Sequence, residues 1–128
     1  MRMTIVLGVL LGLCAGPARA ADPPQQTFVV YFQEWSAAID GPAVDVIARA
    51  AEWAKGHAGS TARVTGFADP TGSHEANILL SQLRAQVVAD GLKGNGLATG
   101  RIRQSARGSV PFAATALESR RVEIRFGR

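Results

Sequence analysis

A chain of 128 residues, 47% hydrophobic and 19% charged, has the profile of an ordinary globular protein with room for one domain. Its formal net charge of +4 falls to +2 if Arg2 and Arg19 leave with an N-terminal leader, too little to argue for a nucleic-acid partner. The single cysteine, Cys14, lies inside that leader, so the remaining domain has no disulfide, no thiolate metal ligand and no cysteine nucleophile.

The leader is residues 1–20. Arg2 gives a basic start, Thr4 to Gly16 is a short apolar run, and Ala18-Arg19-Ala20 supplies an A-x-A cleavage signal. The apolar run is shorter than the roughly 20 residues that span a bilayer, so the layout predicts a cleaved secretory signal rather than a membrane anchor. Leu13 stands where a lipoprotein signal would want a small residue before the cysteine. Residues 21–26 (ADPPQQ) read as a disordered polar leader, and the folded domain is expected over residues 27–128.

Thr27 to Phe32 is β-branched and aromatic almost throughout and predicts a strand buried on both faces. Asp40-Gly41-Pro42 opens a helix running to about Lys55, with Pro42 at the first helical position. Ala43, Val46, Ile47, Ala50 and Ala54 mark its apolar stripe, and Asp45, Arg49 and Glu52 its outer side. Trp53, beside the stripe, reads as a helix-to-sheet packing residue rather than a ligand platform. Gly56 ends the helix.

A second strand ends at Ala68, and a second helical run extends to about Lys93, where Gly94-Asn95-Gly96 stops it. Ile102 to Arg107 and Arg121 to Phe126 are the last two strands. The final one alternates, with Val122, Ile124 and Phe126 inward and charged residues outward. The order β-α-β-α-β-β predicts an α+β domain with two helices packed on one face of a mixed four-stranded sheet. No internal repeat is present, and no series of alternating segments of the kind a membrane barrel requires.

Between the second strand and second helix lies Gly66-Phe67-Ala68-Asp69-Pro70-Thr71-Gly72-Ser73, followed by Asn77-Ile78-Leu79-Leu80-Ser81-Gln82-Leu83-Arg84-Ala85. On helical spacing Arg84 falls in the middle of an apolar arc, where a lone guanidinium is costly to bury. It needs a partner: a ligand anion, or an internal acid such as Asp69. If one unbroken helix began at Ser73, Arg84 would lie roughly 16 Å up it, too far to act with Asp69. Ser81 is a good N-cap residue, so the expectation is a long helix starting at Ser81, with residues 73–80 folded back separately. Arg84 would then stand in a first turn that already favours anions.

These two segments follow the patterns G-[HYF]-[TA]-D-x-x-G-S and N-x-x-L-S-x-x-R-A, and in them the chain resembles the OmpA-like peptidoglycan-binding domain. The resemblance spans about Phe28 to Phe126, closing on Arg120-Arg121-Val122-Glu123-Ile124. It departs from the family pattern at Phe67 (usually His or Tyr), Ala68 (often Thr), Ala76 (commonly Tyr) and Ser119 (Asn), and in a shorter link from Gly108 to Ser119. The resemblance implies that Asp69 and Arg84 hold the diaminopimelate residue of the stem peptide, Asp69 taking its ammonium and Arg84 its carboxylate. Thr71, Asn77 and Arg120 are implied as further peptidoglycan-binding residues.

The function so implied is a non-catalytic peptidoglycan-binding module of the periplasm, compatible with an outer-membrane association, without cofactor, nucleic acid or membrane span in the mature chain. The alternative is an envelope scaffold of the same fold that contacts other envelope proteins, with the Asp69–Arg84 pair structural. A hydrolase is the more distant reading. His57 and His74 lie in polar, loop-like settings, and nothing pairs them for a metal or for catalysis.

Overall fold

The computed structural model describes residues 25–109 and 119–127. The signal segment, residues 21–24 of the leader and most of the link between Gly108 and Ser119 lie outside the described residues. Strand β1 covers Gln26–Tyr31, helix α1 Gly41–Lys55, β2 Thr61–Ala68, α2 His74–Gly94, β3 Ile102–Ser109 and β4 Arg121–Gly127, with a 3-10 turn at Thr99–Arg101 before β3. The strands form one sheet in the order β1-β4-β2-β3, with β2 and β3 parallel and both pairs involving β4 antiparallel. The expected α+β architecture is present. Gln26, placed at the end of the leader, is the first residue of β1.

The last strand of the chain fills the middle of the sheet. Because β1 and β2 both pair antiparallel to β4, they point the same way and end at the same edge of the sheet, on either side of the start of β4. The segments after β1 and β2, and the residues leading into β4, are thereby gathered at one place.

Helix α1 forms where the sequence signals it. The Asp40 side chain accepts the Ala43 amide at 2.9 Å, and proline occupies the first turn. Its buried face is mostly alanine, with Ile47, so it can lie close to the sheet. Val30, Phe32, Val64, Val88, Leu92, Val122, Ile124 and Phe126 complete the core. Each fully buried large aliphatic or aromatic side chain there stabilises the fold by about 1.5–3 kcal/mol. Trp53 packs on Phe126 with ring centroids 4.9 Å apart, as expected of a helix-to-sheet residue, and stacks on His57 at 3.8 Å.

Two expectations are corrected. Strand β1 is an edge strand covered on one face only: Val30 is buried, whereas Thr27 and Tyr31 are exposed. Its β-branched and aromatic composition suits a half-covered edge as well as a doubly buried strand, because the preference is for a pleated surface.

The second correction concerns α2, which is one unbroken helix from His74 to Gly94, capped by Ser73 through its hydroxyl to the Ala76 amide. Ser81 is not a cap. It is a fully buried mid-helix residue whose hydroxyl donates back to the Ile78 carbonyl and accepts the Gly108 amide of β3. A mid-helix serine that bonds back within its own turn and outward to a neighbour looks, in sequence, like a cap.

Candidate functional site

A recess forms where β1 and β2 end and β4 begins, lined by Glu34, Trp35, Asp69, Thr71, Asn77, Leu80, Arg84 and Arg120. All five residues implied by the sequence resemblance are among them. The distance argument against one continuous helix fails for a geometric reason. After the loop, α2 runs back along β2, so the rise of the helix returns what the loop carried away. The arginine side chain also leans toward the helix N-terminus.

Gly66 makes this return possible. A Cβ there would stand 2.0 Å from the Ser81 carbonyl oxygen, so only glycine lets α2 lie this close to β2.

Arg84 is fully buried, and its guanidinium is held by backbone carbonyls. Nε donates to Ser36 at 2.8 Å, Nη1 to Phe67 at 3.1 Å and Nη2 to Gln33 at 2.9 Å. Its Cζ lies 5.3 Å from the centroid of the Phe32 ring. One side chain therefore ties the segment after β1 to the end of β2. Burial pulls its pKa below the ordinary arginine value, down to about 10; the nearby Asp69 carboxylate opposes that shift and Arg120 adds to it. At neutral pH Arg84 remains a cation.

The ion-pair partner of Asp69 is Arg120, with Nη1 3.6 Å from Oδ2, and both side chains are largely buried. The contact is loose for a charge-assisted bond. The other carboxylate oxygen, Asp69 Oδ1, and the Arg120 Nε are buried without a hydrogen-bond partner, and they are the only such side-chain atoms found among the described residues. Such atoms are rare in folded proteins and call for an explanation. Arg120 is fixed from behind, because its carbonyl accepts the Phe32 amide at 2.9 Å.

Asn77 is buried and donates through Nδ2 to the Thr71 carbonyl at 2.6 Å, which holds the loop in shape. Thr71 itself is exposed at the mouth.

The lining residues sequence reasoning missed are Glu34, Trp35 and Leu80. Trp35 has φ 53°, in the left-handed region, and its indole lies against Gly72, where a Cβ would stand 2.6 Å from the ring. The free volume left in the recess is about 10 Å³, room for roughly one water. The polar break at Gln33-Glu34 after an apolar strand was the only sequence signal for this wall. Among the described residues no group of three or more His, Cys, Asp or Glu could hold a metal, and no helix is long and apolar enough to cross a membrane.

Comparison with known proteins places this geometry. The peptidoglycan-associated lipoprotein of Burkholderia pseudomallei superposes with a TM-score of 0.72 at 23% identity, covering 77% of this chain and 89% of that one, a likeness of fold. The C-terminal domain of Helicobacter pylori MotB matches at 28% identity and TM-score 0.67, over 80% of this chain and 84% of that one. The cell wall anchor of the T6SS from Pseudomonas aeruginosa matches at 27% identity and TM-score 0.65, over 81% and 82%. No match is found among curated proteins. The model of the OmpA family matches residues 31–125, which takes in every element from the end of β1 to β4, and the chain belongs to the OmpA family.

Proposed function

We propose that this protein is a non-catalytic periplasmic module that binds peptidoglycan by holding the diaminopimelate residue of a stem peptide in the recess. The observation that carries this reading is the pair of buried, unpartnered atoms, Asp69 Oδ1 and Arg120 Nε. One is an acceptor on an anion and the other a donor on a cation. The free end of diaminopimelate carries an ammonium and a carboxylate on one carbon, the complementary pair.

Asp69 takes the ammonium. The carboxylate goes to Arg120, with Arg84, which still has two N–H bonds beyond the three it gives to carbonyls, contributing from the floor. Each charge-assisted bond contributes about 1.5–3 kcal/mol when shielded from water. No bond is broken and no proton is moved. The comparisons support the coarser part of the reading, since the similar structures include a peptidoglycan-associated lipoprotein and a cell wall anchor.

The small free volume favours a second reading, an envelope scaffold in which the cluster is structural. For the ligand to enter, the Gln33–Ser36 segment must carry the Trp35 ring off Gly72. The two readings separate in one experiment: sedimentation of purified protein with diaminopimelate-type sacculi, with free diaminopimelate or Nα-acetyl-lysine amide as competitor. Binding that diaminopimelate abolishes, the blocked lysine does not, and Asp69→Asn lacks is the expected result. The blocked lysine keeps the side-chain ammonium but has no carboxylate beside it. Equal competition by the two, or no specific sedimentation, would support the scaffold.

A further inference from the structure

Both helices cover one face of the sheet. On the other face, five arginines from three strands, Arg63, Arg103, Arg107, Arg121 and Arg125, line an open trough of about 630 Å³, with Glu123 as its one acid. The strand register makes this more than a scatter of surface charge. Arg63 is paired with Arg125 on β4 and with Arg103 on β3, so three arginines stand side by side in one row across the sheet. Neighbouring strands are about 4.8 Å apart, and like charges directly opposed destabilise a sheet.

Glu123 relieves only one end of that row, at Arg125. Its Oε1 accepts from Arg121 Nε at 3.1 Å and its Oε2 pairs with Arg125 Nη2 at 3.0 Å. Among the described residues, Arg63, Arg103 and Arg107 have neither an ion pair nor a hydrogen bond through their guanidiniums.

The trough begins at the rim of the recess. Arg120 and Arg121 are consecutive, and strand alternation sends the first into the recess and the second into the trough. Phe67 joins the two places: its carbonyl accepts from Arg84, and the Arg121 guanidinium lies over its ring at 4.1 Å.

We infer that this trough is a second anion-binding surface, which takes the free carboxylates of stem peptides neighbouring the one held in the recess. The inference rests on the peptidoglycan reading above. A flexible polymer with carboxylates at intervals can enter a concave, arginine-lined channel, whereas a flat bilayer surface meets only its rims. Single-stranded nucleic acid would want stacking platforms, and the one aromatic ring in the trough, Phe67, is already covered by Arg121. Linking a recess contact to a trough contact on one polymer makes the second intramolecular and adds avidity without tightening the first.

The test is the double variant Arg63→Gln/Arg103→Gln, neither residue being part of the recess. Its affinity for intact sacculi is expected to fall about tenfold or more, with a weaker salt dependence. Its affinity for free diaminopimelate should match the wild type, and its melting temperature should be unchanged or higher. Arg63→Lys/Arg103→Lys should retain most of the sacculus affinity. Unchanged sacculus binding by the glutamine variant would overturn the trough and leave the recess reading standing. Wild-type protein that ignores free diaminopimelate, yet loses sacculi with the glutamine variant, would overturn the recess reading and keep the trough. Capture of wild type but not variant on phosphatidylglycerol vesicles, with sacculus binding equal for both, would overturn the inference in favour of a membrane surface.

Discussion

The two ends of β2 carry the same device for different ends. At its start, Arg101 reaches across to the carbonyls of Ala54, His57 and Ser60, tying the C-terminus of α1 to the turn before the strand. At its finish, Arg84 reaches the carbonyls of Gln33, Ser36 and Phe67. Arg101 is partly exposed and stands among carbonyls with no acid in its cluster. Arg84 is sealed and lies within electrostatic reach of Asp69 and Arg120. An arginine bonded to carbonyls is thus not itself a sign of a binding site. What separates the two places is unsatisfied polarity: only the Arg84 end has buried acceptor and donor atoms without partners.

The sharpest way to break the comparison is to remove each arginine. Arg84→Ala leaves one buried and two part-buried carbonyls without their donor and opens a cavity, and should cost about 3 kcal/mol or more. In a domain of this size that lowers the melting temperature by more than about 12 °C. Loss of binding in that variant would therefore not isolate a ligand role, and thermal denaturation is its proper readout.

Asp69→Asn should cost less stability and more binding. It leaves the largely buried Arg120, 3.6 Å away, and Arg84 without the charge that opposes them, so stability should fall by about 1–3 kcal/mol. Diaminopimelate affinity should fall at least about tenfold, read by competition for sacculi. Unaltered affinity would place the two ends of β2 on the same structural footing.

Arg101→Ala should cost about 1–2 kcal/mol, because water reaches its carbonyls once the side chain is gone. Free diaminopimelate should still raise the melting temperature of this variant, as it does that of the wild type. A loss of that ligand shift would show that the two clusters are coupled through β2.

The smallest expected effect is that of pH. Burial lowers the Arg84 pKa to about 10, below its value in the unfolded chain. The unfolded chain therefore binds more protons only between pH 10 and the ordinary arginine pKa, and there this group's contribution to stability rises with pH. Below pH 10 both states are protonated and the slope is zero. Across pH 6–9 Arg84 should give no pH dependence to stability or binding, and its hold on a carboxylate should weaken as pH passes 10. A titration of the wild-type melting temperature and diaminopimelate affinity over pH 6–11 checks both. A transition in affinity near neutrality would belong to another group.

Much of this was written in local signals. Asp40 with Pro42 fixed the start of α1, Gly94-Asn95-Gly96 the end of α2, and the alternation of Val122, Ile124 and Phe126 the inward face of β4. Asp69, Thr71 and Asn77 were singled out through the family resemblance of their motifs, and a loop with the first turn of the helix after it keeps them close. The same local logic misread Ser81 as a cap and Thr27 to Phe32 as a doubly buried strand. A hydroxyl that bonds back one turn and forward to Gly108 is locally indistinguishable from one that caps, and a strand's composition does not say whether its second face is covered.

The sequence by itself determined the order of helices and strands, where the helices stop, and that a buried arginine on α2 required partners. Only the tertiary structure decided who those partners are. Periodicity and capping depend on residues within about four positions of one another, whereas the partners of Arg84 lie 17, 48 and 51 residues away. They meet because Gly66 lets α2 return along β2 and because β4, last in the chain, enters between β1 and β2 with Arg120 at its head. The pairing of Asp69 with Arg120 and the row of Arg125, Arg63 and Arg103 are both products of that insertion, which no window along the sequence contains.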